Sequence, residues 1–149
     1  MSQVVHFEFL ESPVGKQRAM PCLNKGKIKM VTRKKTRSYE ESLRFFVYKL
    51  MVKNKWKKFE AHVPLEVDMV AYFDIPKSTS KSNRQKMLSG KCLPTKKPDT
   101  DNIQKIVFDA LNKIVYHDDA QICKVSFIKV YDTEPRVKMS IKQWEREQD

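Results

Sequence analysis

No stretch of this 149-residue chain approaches the ~20 consecutive apolar residues that a membrane-spanning helix needs. Its opening residues, Met1 to Leu10, lack the basic start and apolar middle of a secretory leader, so a cytoplasmic protein is expected. Cys22, Cys92 and Cys123 are odd in number and far apart, with no Cys-x-x-Cys pair. That leaves a disulfide framework and a zinc ribbon unsupported and predicts reduced thiols. Internal repeats are absent, and 149 residues with 40% hydrophobic content suffice for one core, a single domain over residues 1–149. Carboxylates are the scarcer charge: 18 Asp and Glu stand against 30 Lys and Arg, a formal net charge of +12. Such an excess points to a polyanionic partner, nucleic acid before membrane surface.

The chain alternates between strand and helix patterns. Val5, Phe7 and Phe9 form the apolar side of a strand that starts near Val4 and stops before Pro13 and Gly15. Lys25 to Arg37 is basic, and its Ile28, Met30 and Thr32 alternate with lysines in a way that admits a strand or an exposed loop. Ser38 with Glu41 reads as a capping box for a helix running to about Lys55, with Leu43, Phe46, Val47 and Leu50 on one face. Phe45, Phe46 and Trp56 read as core aromatics. Leu65, Val67, Met69, Ala71 and Phe73 line one side of a strand that ends at Pro76. Residues 77–98 form a cationic, polar stretch, expected to be a flexible DNA-contacting loop, in which Ser80 can cap a short helix ended by Gly90. Ile103, Val107, Ala110, Leu111 and Ile114 then share a helical face opposite Asp101, Lys105 and Asp109. Strands at Ile122–Tyr131 and Arg136–Ile141, joined by a turn, complete an α+β chain in the order β-α-β-α-β-β: a mixed sheet packed by two main helices.

Five acids fall between Asp99 and Asp119: Asp99, Asp101, Asp109, Asp118 and Asp119. A surface that only grips phosphates excludes carboxylates, because they repel the backbone that lysines attract. A divalent cation removes that conflict by sitting between acids and phosphodiester, which makes Mg²⁺-dependent phosphodiester cleavage the expected chemistry. Asp99 and Asp101 straddle one residue, so in an extended segment both carboxylates point to one side. Asp119, at the mouth of the next strand, can return beside them. Lys105, one helical turn after Asp101, is placed to position a scissile phosphate or offset the charge that grows on it. The same residues also suit a blander account of N-caps, turn aspartates and an Asp101-Lys105-Asp109 ladder of ion pairs. In that account the protein is a non-catalytic basic nucleic-acid-binding module. Tyr116 and His117 read as surface residues.

Lys97-Pro98-Asp99-Thr100-Asp101-Asn102, Lys105, Asp109-Ala110-Leu111-Asn112 and Asp118-Asp119-Ala120-Gln121-Ile122 resemble the signature of RusA-type Holliday-junction resolvases, a family of bacterial and phage, including prophage, origin. Gly15-Lys16-Gln17-Arg18, Lys35-Thr36-Arg37-Ser38-Tyr39-Glu40, Ile75-Pro76-Lys77 and Tyr131 with Pro135-Arg136-Val137 extend the likeness over nearly the whole chain. Ala19 stands where members often carry proline, which bears only on the stiffness of that loop. The resemblance implies a homodimeric, Mg²⁺-dependent endonuclease, with Mn²⁺ as a substitute, that resolves four-way DNA junctions in recombination and repair by paired symmetric nicks. It makes Asp99, Asp101 and Asp119 the catalytic metal-site acids and Lys105 the essential lysine, with Asp109 and Asp118 in supporting positions. Lys16, Arg18, Lys34, Lys35, Arg37, Lys77, Lys81, Arg84, Lys86, Lys96 and Lys97 are the expected DNA contacts.

Overall fold

The computed structural model describes residues 3–31 and 33–147. Strand β1 (Val4–Phe9) leads to a hairpin of β2 (Met20–Asn24) and β3 (Lys27–Val31), then helix α1 (Lys34–Lys53) and strand β4 (Leu65–Asp74). Helices α2 (Lys81–Leu88) and α3 (Thr100–Leu111) follow, and after a 3₁₀ turn at Asp119–Gln121 come β5 (Ile122–Asp132) and β6 (Arg136–Gln143). β1, β6, β4 and β5 form the main sheet in that order. β6 runs antiparallel to both of its neighbours, and β4 pairs parallel with β5. The parallel pair needs a long crossover, and α2 and α3 lie within it. This is a single α+β domain with a mixed sheet.

Alternation builds the core. Val5, Phe7 and Phe9 of β1, Leu65, Val67, Met69 and Ala71 of β4, and Val137, Met139 and Ile141 of β6 are buried on one sheet face. α1 and α3 cover that face with Tyr39, Leu43, Val47 and Met51 from one helix and Ile103, Ile106, Val107, Ala110 and Leu111 from the other. Each such aliphatic side chain contributes about 1.5–3 kcal/mol on burial, and truncating Leu43 to alanine would cost roughly 2–5 kcal/mol.

Several sequence expectations shift. α1 starts at Lys34, and Ser38 lies exposed inside it rather than capping it. The buried stripe begins at Thr36 and Tyr39, and Thr36 Oγ1 accepts a hydrogen bond from the Gln17 amide (3.2 Å), so tertiary contacts extend the helix by a turn. Phe45 is 63% exposed and not a core residue; it points to solvent, with Lys49 Nζ 4.6 Å from its ring centroid. Phe46 and Trp56 do pack against the core. α3 stops at Leu111 and leaves Ile114 beyond it, because Asn112 leaves helical geometry and Lys113 takes φ 72°. The basic stretch Lys25 to Arg37 supplies the turn and strand β3 of a hairpin and, from Lys34, the first turn of α1, while β2 precedes it; Thr32, part of that expectation, lies outside the described residues, as do Met1 and Ser2. Within 77–98, Ser80 does cap α2, accepting from the Asn83 amide at 3.2 Å, and Gly90 follows the helix with φ 82°.

Candidate functional site

Helix α3 organises the acidic residues. Asp99 is its N-cap residue with extended dihedrals (φ −72°, ψ 155°), whereas Asp101 already belongs to the first helical turn. The two therefore do not share the extended segment expected from their spacing. Both are exposed. Asp101, Lys105 and Asp109 climb one stripe of the helix, and Lys105 Nζ lies 3.8 Å from Asp109 Oδ2. At about 1.5 Å of rise per residue, the twelve residues of α3 span roughly 18 Å. Asp119 belongs to the far end of that span, where its amide donates to Asn112 Oδ1 at 3.0 Å.

The far end is built by turn chemistry. Asp118 caps the 3₁₀ turn, its Oδ1 accepting from the Ala120 amide at 2.9 Å. Gln121, almost fully buried, accepts from the amides of His117 (2.9 Å) and Asp118 (3.1 Å) and donates to the carbonyls of Glu60 and Val63. That side chain pins the acidic turn to the loop before β4. Tyr116, expected at the surface, is fully buried with its hydroxyl donating to the Phe108 carbonyl at 2.6 Å. Its apolar ring fills space beneath the C-terminal half of α3, and a buried phenol needs such an acceptor. Arg44 of α1 donates to the Ala110 and Asp109 carbonyls (3.0 and 3.2 Å), satisfying two carbonyls at the helix end.

Negative charge concentrates around Asp119. Partial burial raises the pKa of its carboxyl, and so do a hydrogen bond to Asp118 and the charges of Asp109 and Asp118, while Lys105 opposes the shift. Asp118, fully exposed, is lowered by its bond from the Ala120 amide and by Asp119. The structure thus groups Asp109, Asp118, Asp119 and Lys105 in one field and sets Asp99 at the other end of α3. Among the described residues no three His, Cys, Asp or Glu side chains converge with metal-holding geometry.

Asp99 faces a different company. A cleft of about 470 Å³ beside the start of α3 is lined by Lys16, Lys35, Lys97, Asp99 and Asn102, among others. The 13–17 segment closes one wall, with the Lys16 amide donating to the Asn102 carbonyl at 2.9 Å. Gly15 is required at that wall: a Cβ there would come within 2.7 Å of Pro98 Cβ, closer than carbon atoms can approach. The side chain of Lys16 leaves this wall to pair with Glu40 of α1 and with Asp109 Oδ2 at 3.2 Å. Burial disfavours its charge, but the two carboxylates outweigh burial and raise its pKa.

Of the other basic residues named from sequence, Arg18, Lys34, Arg37, Lys77, Lys81, Arg84, Lys86 and Lys96 are all exposed. Lys81, Arg84 and Lys86 stand on α2, a helix without a buried residue, and α2 lies against the edge strand β5. The Lys96 carbonyl accepts from Lys129 of β5 at 2.6 Å. Sequence reasoning missed the parts played by Glu40, Arg44, Asn112 and Gln121. Glu40, Asn112 and Gln121 lie inside segments that carry the family likeness, which was the available signal. Arg44 carries none.

The chain is 32% identical over 142 residues to the uncharacterized protein YqaN of Bacillus subtilis (strain 168), covering 93% of this chain and 96% of that one. It is 28% identical over 137 residues to the crossover junction endodeoxyribonuclease rusA of Lactococcus phage r1t, covering 91% and 93%. The family model described as Endodeoxyribonuclease RusA matches residues 11–142, which takes in the basic cleft, all of α3 and the Asp118–Asp119 turn. The chain belongs to the RusA endodeoxyribonuclease family.

Proposed function

We infer that this protein is a Mg²⁺-dependent endonuclease that resolves four-way DNA junctions by paired symmetric nicks, acting in recombination and repair as a homodimer. The observation that carries the reading is a carboxylate-bearing helix placed beside a lysine-lined cleft, in a chain matched by the RusA family over residues 11–142. Two equivalent strands of a junction call for two equivalent sites, which a two-fold dimer supplies. The whole chain, 1–149, would form the catalytic unit.

The donor set suits a hard divalent ion. It consists of carboxylate oxygens, and the charges of Asp109 and Asp118, which add to burial in raising the pKa of Asp119, are ones that a cation relieves. By the family pattern Asp99, Asp101 and Asp119 would be the acids that hold Mg²⁺ or Mn²⁺, although in this chain Asp119 stands by the opposite end of α3 from Asp99 and the three do not converge; when bound, the metal would supply polarisation of the phosphodiester and an activated water. Lys105 is the residue we assign to the charge that develops on the phosphoryl oxygens, since its ammonium stands on the same stripe as Asp101. Lys35 and Lys97 would seat the phosphate backbone in the cleft beside Asp99, whereas the ammonium of Lys16, expected from sequence to contact DNA, is taken up by Glu40 and Asp109. Arg18, Lys34, Arg37, Lys77, Lys81, Arg84, Lys86 and Lys96 would track the junction arms without reading bases. A non-catalytic binder accounts for the lysines and for Asp109 as their ion-pair partner, but it gives Asp99, an N-cap residue whose side chain makes no cap hydrogen bond, no work near a polyanion.

The test is incubation of purified protein with synthetic four-way, Y-shaped and linear duplex DNA, with and without Mg²⁺. Symmetric nicks with ligatable ends, made in the four-way junction and only with the metal, are expected. Tight binding with no cutting under any divalent metal would leave the binder as the correct description.

A further inference from the structure

Hairpin β2–β3 is amphipathic toward its turn, and among the described residues nothing covers the apolar side. In its register Pro21 opposes Met30 and Leu23 opposes Ile28, so these four side chains share one face, while Met20, Cys22, Asn24, Lys27, Lys29 and Val31 share the other, which is polar toward the turn. Lys25 and Gly26 form the connection with φ 52° and 75°, the paired positive values of a tight hairpin turn, where glycine is the favoured residue. Every residue of both strands is exposed. Leu23, Ile28 and Met30 are 74%, 76% and 66% exposed. An isolated two-stranded hairpin is marginally stable in water, and an uncovered apolar face of this kind marks a contact surface.

Charge identifies the occupant. Between Glu11 and Glu40 the chain carries no carboxylate and nine Lys or Arg: Lys16, Arg18, Lys25, Lys27, Lys29, Arg33, Lys34, Lys35 and Arg37. A second copy docking this face on its own counterpart would press these lysines against one another in a chain already at +12. A partner that offers both flat apolar surfaces and phosphates fits instead. The chain that leads into the hairpin also forms a wall of the cleft. The chain entering the hairpin is fixed by the Lys16 amide on Asn102 and the Gln17 amide on Thr36, and the chain leaving it is tied back by Arg33 Nε on the Arg18 carbonyl at 3.1 Å.

We propose that the hairpin is a wedge for the branch point of DNA: Leu23, Ile28 and Met30 pack on bases that lose a stacking neighbour there, and Lys25, Lys27 and Lys29 hold the flanking phosphates. Apolar side chains that enter a base step unstack it at a cost of a few kcal/mol, least where stacking is already interrupted, as at a branch. The wedge therefore selects branched over linear duplex without reading sequence. This inference rests on the branched-DNA reading above.

The experiment uses a four-way junction with 2-aminopurine at the branch or, as control, mid-arm, in EDTA so that binding proceeds without cutting. Wild-type protein raises fluorescence at the branch and not in the arm. The triple variant Leu23→Ser, Ile28→Ser, Met30→Ser loses most of that rise and binds junction roughly tenfold more weakly, about 1.4 kcal/mol, with its salt slope intact because no charge has been removed. Should the triple variant fold poorly, single Leu23→Trp and Cys22→Trp proteins replace it: junction quenches the tryptophan on the apolar face and spares the one on the opposite face. Branch fluorescence unchanged by the triple variant, equal quenching of both tryptophans, or a dimer that becomes monomeric in the triple variant by sedimentation would each overturn the wedge, the last by assigning the face to a second copy. A protein that unstacks the branch yet never cuts would refute the nuclease reading and keep the wedge. One that cuts junctions while leaving the branch stacked would do the reverse.

Discussion

Lys16 Nζ sits 3.2 Å from Asp109 Oδ2, the same oxygen that Lys105 approaches at 3.8 Å, so a residue of the cleft wall and the lysine of the acidic stripe share one carboxylate. Asp109 thereby places Lys105 and joins the two ends of the candidate site, with Glu40 holding Lys16 from the other side. Asp109→Asn weakens both charge contacts while keeping side-chain volume. It should lower single-turnover cleavage roughly tenfold or more, as misplacement of a catalytic group does, with junction affinity retained. Glu40→Gln should have a smaller effect in the same direction. If Asp109→Asn cuts at the wild-type rate, the carboxylate is a surface ion pair and nothing else.

Lys105→Ala tests the division between rate and affinity. Removing one preorganised charge of this kind costs on the order of 10²–10³ in rate, and Lys105 is not among the residues that line the cleft. Poor cutting with near-normal binding is expected. A large loss of affinity with an unchanged rate at saturation would move Lys105 to the binding surface.

The exposed lysines and arginines act on the salt dependence. Log affinity for duplex arms falls by roughly 0.9 per neutralised phosphate for each unit of log salt. Replacing Lys34, Lys35 and Arg37 together, or Lys81, Arg84 and Lys86 together, should flatten that slope and weaken binding to junctions of unrelated sequence by similar factors. An unchanged slope in both triple variants would place the DNA elsewhere.

Much of this was legible in sequence because two periodicities are strong. Val5-Phe7-Phe9 and Leu65 to Ala71 alternate cleanly, and Ile103, Val107, Ala110 and Leu111 keep helical spacing, so the four main strands and both core helices read directly. The start of α1 did not, because its first buried contacts, Thr36 and Tyr39, face the 13–17 segment and β1, which are distant in sequence. The hairpin is not legible as a hairpin: Ile28 and Met30 suit a strand or a loop equally and β2 gives no signal, because all of its residues are exposed and burial imposes no pattern on them. Within the site, the Asp101-Lys105-Asp109 stripe follows from a spacing of four. The capture of Asp109 by Lys16 needs 93 residues of chain to fold back, and local spacing carries no trace of it.

Alkaline stability offers a test of the core. Burial first, then the charge of Glu11, raises the pKa of the Tyr39 phenol, and burial raises that of Tyr116, with Asp119, Asp109 and Asp118 adding to it. The unfolded chain releases these protons near pH 10 while the folded one keeps them. Their contribution is therefore complete below about pH 10 and is lost as pH rises, by about 1.4 kcal/mol per pH unit for each tyrosine. The Tyr39 hydroxyl is buried with no hydrogen-bond partner among the described residues. Tyr39→Phe should be neutral or stabilising at pH 7 and should lessen the fall in denaturant midpoint between pH 9.5 and about 11. An equal fall in wild type and variant would contradict a raised Tyr39.

The most direct test of the metal-site assignment is single-turnover cleavage of a synthetic four-way junction in Mg²⁺ by Asp99→Asn, Asp101→Asn and Asp119→Asn, with junction binding measured beside it. Each variant should fail to cut, and each should bind the junction as tightly as wild type or more so, because losing a carboxylate lowers repulsion of the phosphates. Cleavage near the wild-type rate by Asp101→Asn or Asp119→Asn would contradict the assignment of those carboxylates to the catalytic metal.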